Sequence, residues 1–213
     1  MQGKRLLYGL VVLALLAGAL ARPANSVSAK GTDAQNEIMA ELVGQVYNSS
    51  PAISAQYGYV NYLKGLAVSA ITGSGDLSEH SALLTFYNHT VTERVINNGP
   101  MRVIDRTGEA TFYFDTTPDG DFSHPETLRD GTAVMAAALR MQVVIDTLTG
   151  AFTAHFDCTI ARNEPFTING TTYRLGKPGQ QYQVTLFGHL NQQAPPSAYI
   201  AGFITGLELH SAD

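Results

Sequence analysis

Hydrophobic and polar residues alternate along most of the chain. In the stretch GAFTAHFDCTIAR, Phe152 and Phe156 share one parity, whereas His155 and Asp157 share the other. A period of two is typical of a β-strand with one buried face. The same alternation, or a composition rich in β-forming residues, predicts further strands at 37–47, 55–70, 81–97, 101–105, 109–115, 133–146, 171–175, 182–190 and 199–209.

Short turn signals separate these segments. Asn169-Gly170 is the preferred pair for a type I′ hairpin turn. Glycines suited to left-handed turn positions also occur in three other stretches, 105–108, 146–150 and 176–179. Successive antiparallel hairpins are therefore predicted, since no helices are available to connect parallel strands.

One segment has a mixed signal. TAVMAAALRMQVV, residues 132–144, contains enough Ala, Leu and Met to favour a helix. It ends in Val143-Val144-Ile145 at a hairpin turn, however, and β-branched residues favour a strand. We therefore predict a strand. The fold class predicted is all-β, an antiparallel meander closed into a β-barrel of about eight strands, because closure protects every edge. A β-sandwich or jelly roll is the alternative.

The first residues have the pattern of a secretory signal. Lys4 and Arg5 precede an apolar run, residues 6–20, that ends in Ala19-Leu20-Ala21. We predict a cleaved signal peptide over 1–21, a flexible lead-in over 22–35 and a single β domain over 36–213. The mature protein is then secreted or periplasmic, with an uncleaved anchor as the alternative.

Charge and motifs limit the classes of partner. Loss of Lys4 and Arg5 with the leader changes the formal net charge from −5 to −7, and no basic cluster follows. Nucleic acid and anionic membranes are therefore not predicted partners. Cys158 is alone, which excludes an intramolecular disulfide, and its apolar parity predicts a buried, inert thiol. No phosphate-loop or dinucleotide-binding motif occurs, so no cofactor is predicted.

An acidic stretch, DTTPDGDFSHPETLRDG, covers residues 115–131. Asp115, Asp119 and Asp121 with Gly120 resemble the alternating oxygen ligands of a calcium loop. They lack the register and the closing Glu of an EF-hand. The preferred interpretation is a polar surface loop without a metal, in which Asp side chains cap local backbone amides.

Two further sets of residues are candidates for a functional site. His155 and Asp157 share one strand face, about 6.5 to 7 Å apart, too far for direct contact but close enough to flank a substrate. They are catalytic candidates only if that face is the interior, and the phenylalanines on the opposite parity predict that it is not. In QYGYVNYLKGL, Tyr57, Tyr59 and Asn61 share a face and are predicted to bind a ligand on the barrel wall.

The second half of the chain resembles a known family. GDF (120–122), a strand opened by Gly131, GAF (150–152) and TLFGHL (185–190) are similar to secreted allene oxide cyclase and dirigent-like barrels, over residues 109–190. The resemblance implies a closed eight-stranded barrel with an apolar cavity, often trimeric, that guides cyclisation or coupling of a small molecule. No catalytic residue of those families matches this chain.

Three functions remain open from the sequence. The preferred one is a non-enzymatic barrel that binds a small apolar or aromatic molecule in its interior. The alternatives are a cyclase or isomerase-like enzyme and a structural or surface-assembly protein. Assembly into a homo-oligomer is compatible with each.

Overall fold

A computed structural model describes residues 37–192 and 195–211; the predicted signal peptide and lead-in lie outside these ranges. Apart from two short 3₁₀ helices, Val68–Ala70 and Pro125–Leu128, the regular secondary structure of the described chain is all β. The strands are β1 (Ile38–Asn48), β2 (Ile53–Leu63), β3 (Leu84–Asn98), β4 (Met101–Phe114), β5 (Thr132–Asp146), β6 (Ala151–Asn163), β7 (Phe166–Ile168), β8 (Thr171–Leu175), β9 (Gln181–Leu190), β10 (Ala198–Thr205) and β11 (Leu209–Ser211).

Eight of these strands form a closed barrel in the order β1-β10-β9-β6-β5-β4-β3-β2, and every neighbouring pair is antiparallel. Pairing of β1 with β10 closes the barrel, with Gly44 opposite Ile200. The short strands β7, β8 and β11 form a separate three-stranded sheet. The structure therefore confirms the predicted all-β meander and barrel rather than a sandwich.

β4 is one continuous strand, whereas the sequence predicted two strands separated by a turn at 105–108. Gly108 lies within it, and a Cβ atom there would be 2.0 Å from the carbonyl oxygen of His89 on β3. Glycine is needed at this position because two backbones approach closely, and not because the chain turns. The other three predicted turns are confirmed by positive φ angles at Gly150, at Asn169 and Gly170, and at Gly176 and Gly179.

The segment with the mixed signal is a strand, as predicted. β5 pairs with β4 on one side and β6 on the other. From Ala137 to Ile145, alternate residues of β5 are buried. Those side chains point into the barrel, so packing between two neighbouring strands overrides the helical propensity of Ala, Leu and Met.

The two ends of the barrel differ. Connections β1–β2, β3–β4, β5–β6 and β9–β10 all lie at one end, which we call the hairpin end. The longer connections, including 64–83 and 115–131, lie at the opposite end. Ile71, Leu84 and Leu207 are almost fully buried in the main core. Within the described ranges, no helix has the length and apolar character needed to span a membrane.

Connection 115–131 also covers part of the outer wall. Leu128 and Phe122 pack against Ala55 and Tyr57 of β2 in a second, smaller hydrophobic cluster. The Oγ1 atom of Thr85 on β3 donates a hydrogen bond to the carbonyl oxygen of Leu128, at 2.9 Å. Strand β2 is therefore buried on both faces, which bears directly on the predicted ligand-binding residues.

Candidate functional site

A cavity of about 50 Å³ lies inside the barrel near the hairpin end. Its apolar side is formed by inward residues of β6, β9 and β10, among them Phe156, Leu186 and Ile200. Gly188 leaves room for the ring of Phe152, since a Cβ atom there would be 2.2 Å from the Cζ atom of that ring. Pockets for drug-sized molecules are about 300 to 1,000 Å³, so this cavity fits a smaller molecule or the inner end of a longer one.

The opposite wall of the barrel is polar. Buried polar side chains occur at inward positions of three adjacent strands: Ser54 and Gln56 on β2, Asn88 and Thr90 on β3, and Arg106 on β4. The Nε2 atom of Gln56 donates to the Oγ atom of Ser54 at 2.8 Å and to the Oγ1 atom of Thr90 at 3.3 Å. The Thr90 hydroxyl donates to the carbonyl oxygen of Ser54 at 3.0 Å. The interior at this level is therefore amphipathic.

The polar wall is not fully satisfied. The Oε1 atom of Gln56, the Oδ1 atom of Asn88 and the Nη1 atom of Arg106 are buried and have no hydrogen-bond partner within the described part of the chain. A buried donor or acceptor without a partner costs about 1 to 3 kcal/mol, and more when it is charged. Of these residues, Gln56 and Arg106 line the cavity, so their two unpaired atoms mark where a bound molecule would recover free energy.

Arg106 is the strongest feature of this wall. Its relative exposure is 6%, and it is the only ionisable side chain among the described residues that line the cavity. Burial lowers the pKa of its guanidinium group, and no neighbouring charge contributes to that shift. Arginine stays protonated in proteins, so the cavity contains an uncompensated positive charge.

The cavity is suited to binding and orienting a molecule. Its described lining includes no carboxylate, imidazole or thiol, which are the usual proton-transfer groups. Cys158 also lies inside the barrel, 2% exposed, and burial raises its pKa to about 12. The predicted burial of the thiol is confirmed, and the raised pKa disfavours the thiolate, which is the effective nucleophile.

The structure corrects the predicted placement of Tyr57 and Tyr59. Both rings lie outside the barrel, where they contact Phe122 at centroid distances of 6.4 and 6.2 Å. Tyr57 also stacks on Tyr87 at 6.1 Å, and burial raises the pKa of both Tyr57 and Tyr59. The other parity of β2, with Gln56, faces the cavity.

Asn61 is likewise on the outer surface. Its Nδ2 atom donates to the Oε2 atom of Glu41 at 3.3 Å, while its Oδ1 atom is buried without a partner in the described ranges. Together with Phe187 and Phe203, Asn61 lines a surface groove of about 320 Å³. The three residues predicted to form one ligand-binding wall therefore lie at two outer sites.

His155 and Asp157 face solvent on β6, as the phenylalanine parity predicted. Their side chains are 47% and 66% exposed. The Nε2 atom of His155 is 3.7 Å from the Oδ1 atom of Asp157, so the expectation that the pair is too far apart for contact is wrong. The prediction used only the spacing of the two residues along the backbone, whereas side chains on a strand lean along its direction and can approach each other more closely. Neither residue lines the cavity.

The acidic stretch brings a different trio together from the predicted one. Carboxylate oxygens of Asp115, Asp119 and Asp130 lie within 4.8 Å of one another. Asp121 instead contacts the Nδ1 atom of His124 at 3.0 Å. Hydrogen bonding between this pair lowers the pKa of Asp121 and raises the pKa of His124.

Local capping in this stretch matches the prediction. The Oδ1 atom of Asp115 accepts a hydrogen bond from the backbone N–H of Thr117 at 2.8 Å. The Oδ1 atom of Asp121 accepts one from the N–H of Ser123 at 2.7 Å. Two of the aspartates therefore organise the turn itself.

Sequence reasoning missed Arg106 and the polar wall. Assignment of 105–108 to a turn removed Arg106 from the strand pattern. Once β4 is read as continuous, Arg106 shares its parity with Ile104, Ala110 and Phe112. Between positions 104 and 112 this parity is apolar apart from Arg106 and a glycine, whereas Arg102 lies at the exposed end of the strand. An isolated charge on an apolar parity is the signal that would have identified it.

Comparisons of this chain with protein-family models, with curated proteins and with solved structures each found no match.

Proposed function

We propose that this protein is a non-enzymatic barrel that binds a small, mainly apolar molecule in the cavity at the hairpin end. The observation that carries the proposal is the cavity itself, which combines an apolar side with a polar wall whose buried atoms lack partners. Ligand sites have this combination, since apolar contacts supply affinity and a few polar groups fix orientation. Export through a cleaved signal peptide remains part of the proposal.

Binding ranks above the cyclase or isomerase-like alternative. The polar groups of the described lining are one permanent cation, two amides and the hydroxyl of Ser54, which orient a molecule but are not the usual groups that accept and return protons near neutral pH. The resemblance to allene oxide cyclase and dirigent-like barrels remains a prediction. It is compatible with a ligand inside the barrel, but no catalytic residue follows from it.

The test is occupancy of the cavity by small molecules. Thermal denaturation of the full chain is measured with a panel that pairs uncharged compounds, such as 1-hexanol and 3-phenylpropanol, with the acids of the same length. A ligand that binds only the native state raises the melting temperature in a concentration-dependent way. At least one pair is expected to produce this rise.

Two matched variants locate the binding site. Ala154→Leu adds a side chain within the cavity lining, at a cost of about 1 to 3 kcal/mol from overpacking, and is expected to abolish binding. Ala138→Leu makes the same change on the exposed face of β5 and should bind as the wild type does. Absence of binding by the whole panel would overturn the proposal, and unchanged binding by Ala154→Leu would place the ligand elsewhere.

A further inference from the structure

We propose that the ligand of the cavity is a monocarboxylate, an apolar molecule whose single anionic group pairs with Arg106. This inference rests on the proposed function and specifies the class of ligand. The Nη1 atom of Arg106 is buried and has no hydrogen-bond partner in the described part of the chain, so the guanidinium group is available to a ligand.

The protein has not supplied its own counter-ion. Asp105 is the only buried acidic residue in the described ranges. Its Oδ2 atom accepts from the Nε atom of Arg94 at 2.8 Å, and its Oδ1 atom accepts from the Nε2 atom of Gln142 at 3.1 Å. These interactions are on the outer face of β4. Asp105 therefore does not pair with Arg106, whose side chain points into the barrel.

A buried cation without a counter-ion is costly, because burial removes hydration and no protein group replaces it at the Nη1 atom of Arg106. An anion that enters the cavity therefore gains a charge-assisted hydrogen bond in surroundings of low dielectric constant. The apolar residues opposite Arg106, such as Phe156 and Ile200, then contact the rest of the ligand.

The charge of the ligand follows from the charge of the site. Arg106 supplies one positive charge, and no second cation lies among the described lining residues. A monoanion neutralises it, whereas a phosphate monoester with two negative charges would leave one buried and unpaired. A planar carboxylate also matches the geometry of the guanidinium group. A carboxylate is therefore the better match to Arg106 than a phosphate.

The experiment compares acids with alcohols of equal length at neutral pH. Isothermal titration of the wild-type full chain is carried out with hexanoate and 1-hexanol, and with 3-phenylpropionate and 3-phenylpropanol. Each acid is expected to bind about ten- to hundredfold more tightly than its alcohol. The preference should persist at high salt, because a buried pair is screened far less than an exposed one.

Variants assign the preference to one residue. Arg106→Met removes the charge and is expected to abolish the preference for acids while alcohols still bind. Arg140→Met removes a charge from the exposed face of β5 and should keep the preference. A second readout is the Nε–H NMR signal of Arg106, which should shift with hexanoate and much less with 1-hexanol.

The outcomes separate the two proposals. Equal affinity for acid and alcohol in the wild type overturns the inference and leaves the proposed function standing. Failure of every compound to bind overturns both. An acid preference that survives in Arg106→Met also overturns the inference. If Arg106→Met does not fold, the wild-type comparison together with the Arg106 NMR signal decides the question.

Discussion

Asp105 and Arg106 are neighbours in the sequence whose side chains lie on opposite faces of the barrel wall, one with two polar partners and the other with an unpaired Nη1 atom. Alternation along β4 is the cause, since consecutive residues of a strand point to opposite faces. Opposite charges that are adjacent in the chain are thus prevented from pairing. The outer face is compensated, and the inner face is left with a free cation.

We expect Asp105→Asn to destabilise the protein at neutral pH and to have little effect in acid. Hydrogen bonds from Gln142, then from Arg94, lower the pKa of Asp105 in the folded state. For a carboxyl group with a lowered pKa, the stabilisation is present above its unfolded value of about 3.9 and disappears as the pH falls through the folded value.

Urea unfolding of wild type and variant across this pH range is the measurement. Asp157→Asn, a change of an exposed carboxylate on β6, is the matched control. A destabilisation that is independent of pH would contradict the assigned cause.

Arg106→Met should stabilise the ligand-free protein by about 1 to 4 kcal/mol, because it replaces a buried unpaired charge with an apolar side chain of similar length. The free energy of unfolding from urea denaturation tests this after exhaustive dialysis. The exposed change Arg140→Met should stay within about 0.5 kcal/mol of the wild type. A large loss of stability in Arg106→Met would instead show that the guanidinium group is stabilised in the free protein.

Tyr57→Ala should destabilise the fold by about 3 kcal/mol, since Tyr57 is 3% exposed and holds connection 115–131 against β2. It should leave ligand affinity unchanged, because the ring lies outside the barrel. Tyr199→Ala, at a side chain that is 55% exposed, is the control for stability. A loss of affinity in a folded Tyr57→Ala protein would show that the ligand binds on the outer surface near Tyr57, and not in the cavity.

Asp130→Asn should raise stability slightly at neutral pH, by less than about 1 kcal/mol at this exposed site. Burial, then repulsion from Asp119 and Asp115, raises the pKa of Asp130. A carboxyl group with a raised pKa destabilises the fold when ionised, so the penalty is present above the folded value and vanishes at lower pH. The gain in the variant should therefore be absent in acid.

Calcium provides the counter-test for the same cluster. We expect the melting temperature of the wild type to be unchanged by added calcium and by subsequent chelator. A strong rise that chelator reverses, and that Asp130→Asn abolishes, would identify a cation site formed by Asp115, Asp119 and Asp130.

Local signals were sufficient to predict the barrel. A turn such as Asn169-Gly170 and the alternation in β6 depend only on neighbouring residues, and a meander of such strands has few ways to hide its edges. β4 was divided because Asp105 to Gly108 has the composition of a turn. The requirement for Gly108 comes from the backbone of β3, which the local sequence does not show.

The inner face of β2 was not predictable in the same way. Tyr57 and Tyr59 form the more apolar parity, so alternation assigns them to the interior. That rule assumes that only one face is buried. Packing of Phe122 and Leu128, about 65 residues later in the chain, buries the other face as well. The sequence therefore predicted that the barrel has an interior cavity, but it did not identify the residues that line it.

Barrel closure has a consequence for how the chain folds. Most strand pairs join neighbours in sequence, whereas Ala40 of β1 must find Ile204 of β10. The hairpins can form early because closing a short loop costs little entropy. The barrel, however, is completed only when β1 pairs with β10, which lies far away in the sequence. Contacts of such large sequence separation slow folding. Until then β1 and β10 are open edges that other unfinished chains can pair with, so the last step of folding competes directly with aggregation.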